Sequence, residues 1–156
     1  MMLKEKIKVY LDTSVYNRPF DDQDQTRIRL ETESFLSLLG NAVAGSIIII
    51  SSSALLYENN QNPFNERRER ISSYLSIASK FIRLNDSIKK KALLLENKGI
   101  DSIDALHLSY AEFGGVEYFL TCDDGIIKKV RKVKGLFKMK VCNPIDFIVE
   151  EVLKNV

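Results

Sequence analysis

Apolar and polar positions along the chain switch between two periods. Lys6 to Leu11 (KIKVYL) alternates and then runs apolar, which predicts a first strand, closed by Asp12-Thr13-Ser14. Asn17 to Asp22 carries Pro19 and two acids and reads as a loop. From Gln25 to Leu39, the positions Ile28, Leu30, Phe35, Leu36, Leu38 and Leu39 fit a helix, with Gly40-Asn41 as its stop. Ile47 to Ile50 is an unbroken β-branched run, the mark of a strand buried on both faces. Ser51–Ser53 then supply an N-cap for a helix carrying Leu55, Leu56 and Glu58, which Asn60–Pro63 breaks.

The second half repeats the alternation. Asn65 to Ala78 predicts a charged amphipathic helix, and Phe81 to Leu84 reads as a short strand or a plain connection. Asp86 caps a helix through Asn97, with Gly99 closing it, and Asp101 to Phe113 predicts the next, ended by Gly114-Gly115. Val116 to Leu120 is a strand, Thr121 to Asp124 opens a helix through Lys132, and Lys138 to Cys142 is a last strand. Asn143-Pro144-Ile145-Asp146 is a helix start with cap, proline and acid in order. Apolar strands alternating with helices predict an α/β fold: a three-layer α/β/α sandwich around a central parallel sheet. The 156 residues, without repeat or linker, read as a single domain spanning 1–156.

Charge changes the picture more than composition does. The formal net charge of +2 argues against a strong polyelectrolyte binder, but residues 128–140 hold seven basic residues and no acid. Residues 1–127 carry 15 basic and 18 acidic residues, so cations and carboxylates are partly segregated. Met1-Met2-Leu3 runs directly into charged residues, and the apolar stretch Ala42 to Leu56 is broken by Gly45, Ser46 and three serines. The expectation is a cytoplasmic chain with no membrane segment, since a span needs about 20 apolar residues. Cys122 and Cys142, without a CxxC and with one histidine in the chain, argue against zinc and for buried thiols.

Ligands of open parallel sheets sit at the carboxyl ends of the strands. Acids stand there: Asp12 after the first strand, Asp123 and Asp124 after the strand ending at Leu120, Glu58 two turns into the helix after Ile50, and Asp104 in the first turn of its helix. Clustered carboxylates repel and raise one another's pKa, which makes sense around a hard divalent cation. Acid-only ligation suits Mg2+ or Mn2+, which can polarise a phosphoryl oxygen and supply a nucleophilic water. Bland readings stand beside this one. Asp101 and Asp124 are at capping positions, and capping is the favoured reading for both. Asp12 follows a strand without opening a clear helix, so no capping role accounts for it. Glu58 lies on an otherwise apolar stretch, though an exposed helical glutamate is ordinary.

Four stretches carry a resemblance: VYLDTSV, ISSSALLYEN, GIDSIDALHLSYAE and EYFLTCDDGIIKKV, in that order over residues 7 to 130. They resemble the four acidic motifs of the PIN domain, a family of small metal-dependent ribonucleases that includes VapC-type toxins of toxin–antitoxin pairs. The resemblance implies hydrolysis of RNA phosphodiester bonds with Mg2+ or Mn2+ held by Asp12, Asp104 and Asp123. Glu58 would ligate through water or help activate the attacking water. Ser14 and Thr121 would orient Asp12 and Asp123, and Asp101 would add to the metal's surroundings. Thr-x-Asp favours Asp123 over Asp124, and the choice stays open. A toxin would have a small antitoxin partner that occludes the pocket, and a homodimer rests on the resemblance alone.

The basic run begins five residues after Asp123. Lys128, Lys129 and Arg131, with Arg18 in the loop after Asp12, are candidates to hold RNA phosphates flanking the cut. Tyr16 and Phe20 are the better candidates for stacking on bases, with Tyr57 another; Tyr10 reads as core. His107 reads as a semi-buried residue of the DALHL stretch without a catalytic role. Two other functions compete with the nuclease: a PIN-like module that binds RNA or protein without cutting, and an aspartate-dependent phosphatase using Asp12. The second usually has another acid two residues on, where this chain has Ser14.

Overall fold

A computed structural model describes residues 6–133 and 135–155. The reading of Met1–Glu5, and Lys134 of the basic run, lie outside the described residues. Five parallel strands form one sheet in the order β3-β2-β1-β4-β5. β1 (Ile7–Leu11) is central, between β2 (Ile47–Ser52) and β4 (Tyr118–Leu120); β3 (Lys80–Ile82) and β5 (Lys140–Cys142) are the edges. Ile7 pairs with Ile47 and Tyr10 with Ile50 on one side of β1, and Val9 with Tyr118 and Leu11 with Leu120 on the other.

Successive residues of a strand point to opposite faces, and Val9, Tyr10 and Leu11 are all fully buried. Both faces of the sheet are therefore covered, as the β-branched run of β2 predicts. The cover comes from α1 (Thr13–Asn17), α2 (Thr26–Val43), α3 (Ser53–Asn60), α4 (Asn65–Leu75), α5 (Asp86–Asn97), α6 (Ser102–Phe113), α7 (Asp124–Lys132) and α8 (Pro144–Phe147). Phe35 of α2 sits edge-on between Tyr16 and Tyr74, and Phe147 of α8 packs edge-on to Tyr118. After α8 the chain continues in a π turn, Ile148–Val152. Among the described residues no helix is long and apolar enough to cross a membrane.

Several sequence expectations move. The stretch before β3 resolves as a true strand, pairing Ser51 with Phe81. α2 runs past Gly40-Asn41 to Val43, because the left-handed residue that ends it is Gly45, with φ +82. Asn17–Asp22 is not a plain loop: Arg18–Phe20 form a 3-10 turn with proline at its start. The cap of α5 is Asn85 rather than Asp86, with Ile88 N–H donating to its side chain at 2.9 Å. The predicted caps at Ser51–Ser53 and Asn143 form, through Ser52 and Asn143 themselves.

The topology places the site. From β1 the chain builds outward to β2 and β3, then crosses back to the other side of β1 for β4 and β5. The winding direction therefore reverses between β1 and β4, and a crevice opens at the carboxyl ends of such neighbours. Asp12 N–H donates to Leu120 C=O at 3.0 Å, so the two strand ends stay joined up to the residue where the acids begin.

Candidate active site

Asp12 leaves β1 buried, with 5% of its surface exposed. It is the N-cap of α1: Ser14 N–H donates to Oδ1 at 3.0 Å and the Ser14 hydroxyl at 2.5 Å. This corrects the expectation that Asp12 starts no helix. α1 is one turn long and too short to show an apolar period. Burial pushes the Asp12 carboxyl up; the Ser14 and Thr121 hydroxyls pull it down but do not offset burial. Ser14 Oγ also accepts from Cys122 N–H at 3.0 Å, and Thr121 Oγ1 accepts from Asp123 N–H at 3.0 Å. The two hydroxyls thus stitch the turn after β1 to the turn after β4.

Asp123 is the N-cap of α7, its Oδ1 accepting from Gly125 N–H at 2.8 Å. Asp124 does not cap. It faces away, held by both Arg27 guanidinium nitrogens at 2.7 and 2.8 Å. Asp101 also fails to cap: no hydrogen bond joins its side chain to α6, and Oδ1 lies 3.3 Å from Lys129 Nζ. Both acids find a cation from another element, which outbids an exposed backbone N–H that water can satisfy. Asp104, in the first turn of α6, is the most perturbed exposed-side acid: its pKa rises to about 6, from burial first and then the charges of Asp12, Asp123 and Asp101. Those charges reach Asp104 because the four carboxylates share one pocket rim. Among the described residues no three His, Cys, Asp or Glu side chains converge into a ready-made metal cage. The donor set is all carboxylate oxygen, which fits a hard cation and no soft one.

Glu58 projects from α3 into a chain of buried groups that sequence reasoning missed. Its carboxylate is hydrogen-bonded to His107 Nε2; His107 Nδ1 is 2.6 Å from the Tyr10 hydroxyl, which is 2.7 Å from Ser52 Oγ. His107 and Tyr10 are buried rather than half-buried. Burial alone would raise the Glu58 carboxyl, but the hydrogen bond and charge of His107 outweigh it and hold it below its usual value. Tyr10 fits its predicted place in the core, stacked on Phe119 with ring centroids 5.5 Å apart.

The proposed RNA contacts separate. Arg18 is already engaged, with Asp21 at 3.1 Å and Glu31 at 2.9 Å, and Lys129 is drawn to Asp101. Lys128 and Arg131 are exposed and line a cleft of about 370 Å³ with Arg27, Asp124 and Asn143. Tyr16 cannot stack on a base: it is 1% exposed and packed on Phe35. Phe20 lies under the Arg67 guanidinium, 5.1 Å from its ring centroid. Tyr57 is exposed and lines an apolar cleft of about 380 Å³ that reaches Glu58. Cys122 is buried, and burial raises its thiol far from thiolate chemistry.

A family model described as the PIN domain matches residues 9–133. The chain belongs to the PIN domain family. The matched span runs from β1 past the end of α7 and holds every acid described above. Two solved structures share the PIN fold. One, of VapBC2 from Rickettsia felis bound to a DNA fragment from its promoter, aligns with TM-score 0.59 and 18% identity, over 88% of this chain and 98% of that one. The other, DNA-bound VapBC from Salmonella typhimurium, aligns with TM-score 0.56 and 16% identity, over the same shares of 88% and 98%. A comparison with curated proteins finds no match.

Proposed function

We propose that this PIN domain is a metal-dependent endoribonuclease, acting in the cytoplasm as the toxin of a toxin–antitoxin pair. The observation that carries the proposal is Asp104, whose pKa rises to about 6 under burial and the charges of Asp12, Asp123 and Asp101. A fold that holds four acids against each other at the strand ends keeps an unfavourable arrangement which a divalent cation relieves.

Asp12, Asp104 and Asp123 would hold Mg2+ or Mn2+, with Glu58 at the edge of the set. Their open arrangement suits an ion that keeps several waters, as Mg2+ does. When bound, the ion would polarise the scissile phosphoryl oxygen and acidify a water. The chain's own residues do the rest. Ser14 fixes the Asp12 carboxylate, Thr121 fixes the backbone of Asp123, and His107 fixes the direction of Glu58 through a hydrogen bond shared with Tyr10. Glu58, kept ionised, accepts a proton from an attacking water within its reach. Lys128 and Arg131 would hold phosphates away from the acids, and Tyr57 would offer a ring to an unpaired base. The VapBC complexes among the structural neighbours support a small antitoxin as partner.

The test is cleavage of structured RNAs by wild type, Asp12→Asn and Asp104→Asn, with Mg2+, Mn2+ or EDTA. Cleavage is expected in wild type with either metal and nowhere else. Cleavage that survives both substitutions would refute the assignment, and metal-independent binding without cleavage would favour the non-cleaving module. The phosphatase reading finds no support, since the residue two positions after Asp12 is Ser14, which is bonded to Asp12 itself.

A further inference from the structure

Glu31 belongs to none of the acidic motifs, yet it is fully buried. It stands in α2, on the same stripe as Phe35 and Leu38, where an apolar residue is expected. Its Oε1 accepts from Arg18 Nε at 2.9 Å, and its Oε2 accepts from the Asn143 side-chain amide and lies 3.4 Å from Arg27 Nε. Arg27 then grips Asp124 with two further nitrogens. One carboxylate therefore links four segments at the carboxyl end of the sheet: the turn after α1, α2, the start of α7 and the junction of β5 with α8.

Stability alone does not explain this arrangement. Burying charge is costly, and a well-packed apolar residue commonly does as well or better. What an ion network adds is fixed geometry. An isolated exposed ion pair between Arg27 and Asp124 would be worth little. Here the guanidinium is bidentate on Asp124 and braced from behind by a carboxylate that has no freedom to move. Asp124 is the residue after Asp123, in the first turn of the same helix.

We infer that Glu31 is a positioning residue: it braces Arg27, Arg27 clamps Asp124, and the clamp fixes the first turn of α7 so that Asp123 faces the acidic pocket. The inference rests on the reading of Asp123 as a metal ligand. Residues that orient ligands commonly account for 10–100-fold in metal affinity.

The experiment is Mn2+ binding to RNA-free protein, followed by electron paramagnetic resonance, for wild type, Asp123→Asn, Arg27→Gln, Asp124→Asn, Asp124→Glu and the Arg27→Gln/Asp124→Asn pair. Arg27 and Asp124 are both about half exposed, at 51% and 55%, so these substitutions spare the core. Arg27→Gln and Asp124→Asn are each expected to weaken Mn2+ binding roughly tenfold, at the low end for such residues. The pair should be no worse than either alone, because one linkage is being cut. Asp124→Glu, which keeps the carboxylate, should recover most of the affinity. Glu31→Gln should weaken Mn2+ binding in the same direction, with a loss of thermal stability that the surface variants lack. Unchanged Mn2+ affinity in Arg27→Gln and Asp124→Asn, with Asp123→Asn impaired, overturns the positioning role and leaves the ligand reading intact. Unchanged affinity in Asp123→Asn itself overturns both.

Discussion

Replacing Asp104 by asparagine should stabilise the metal-free protein while abolishing metal-dependent cleavage. The Asp104 pKa rises from 3.8 to about 6, through burial and three neighbouring carboxylates. An acid with a raised pKa keeps its proton in the fold after the unfolded chain has lost it. Its unfavourable contribution is therefore absent below about pH 4, grows as pH rises, and is complete above about pH 6. At about 1.4 kcal/mol per pH unit, two units would set a ceiling of about 3 kcal/mol. Asp104 is partly open to water, and screening brings the expected effect to about 1–2 kcal/mol. For a chain of this size that is a rise in Tm of about 2–8 °C. The assay is thermal unfolding by circular dichroism in EDTA at pH 7.5 and pH 4.5, wild type against Asp104→Asn. The gain should appear at pH 7.5 and vanish at pH 4.5. Taking the difference between the two proteins removes the other titrating acids, including Glu58, whose lowered pKa works in the opposite direction. Saturating Mg2+ should reverse the order at pH 7.5, because only wild type gains from binding. A variant less stable than wild type in EDTA at pH 7.5, or a gain that persists unchanged at pH 4.5, would refute the electrostatic reading of this pocket.

Three further outcomes are expected. Tyr10→Phe deletes the hydroxyl between Ser52 and His107 and leaves both buried partners unsatisfied; urea unfolding should show a loss of about 1–3 kcal/mol. Lys128→Ala with Arg131→Ala should weaken RNA binding and lower the slope of log K against log salt by about 1.4, with Mn2+ affinity unchanged, as measured by fluorescence anisotropy across salt concentrations. Gly114→Ala would place a Cβ 2.7 Å from Ile82 Cδ1 and 3.3 Å from Ile50 Cδ1. The Ile82 side chain must turn aside, and a melting experiment should show a cost of about 1–2 kcal/mol, the range for mild overpacking.

The sequence by itself determined the alternation of strands and helices, and with it the sheet type. Those signals are local: a β-branched run at Ile47–Ile50, caps at Ser52 and Asn143, and glycines behind α6. It also placed Asp12 and Asp123 directly after strands, because the residue following a strand is legible without knowing the strand's neighbours. Asp12 as a helix cap was not legible, since one turn of helix has no period to read. The exclusion of Asp101 and Asp124 from capping was equally hidden. Each is claimed by a cation from a distant element, Asp124 by a residue 97 positions away. Glu31 did leave a trace, as a charge on the apolar stripe of α2, four residues after Arg27; its meaning depended on Arg18 and Asn143, which only the fold brings to it. The same holds for His107, whose partners Tyr10 and Glu58 come from β1 and α3. The strand order decided the rest. Local sequence specifies that strands exist, but whether β4 lies beside β1 is set by long-range packing, and that adjacency joins the turn after Leu11 to the turn after Leu120. Carboxylates more than a hundred residues apart become one pocket for this reason: the chain reverses its winding between those two strands.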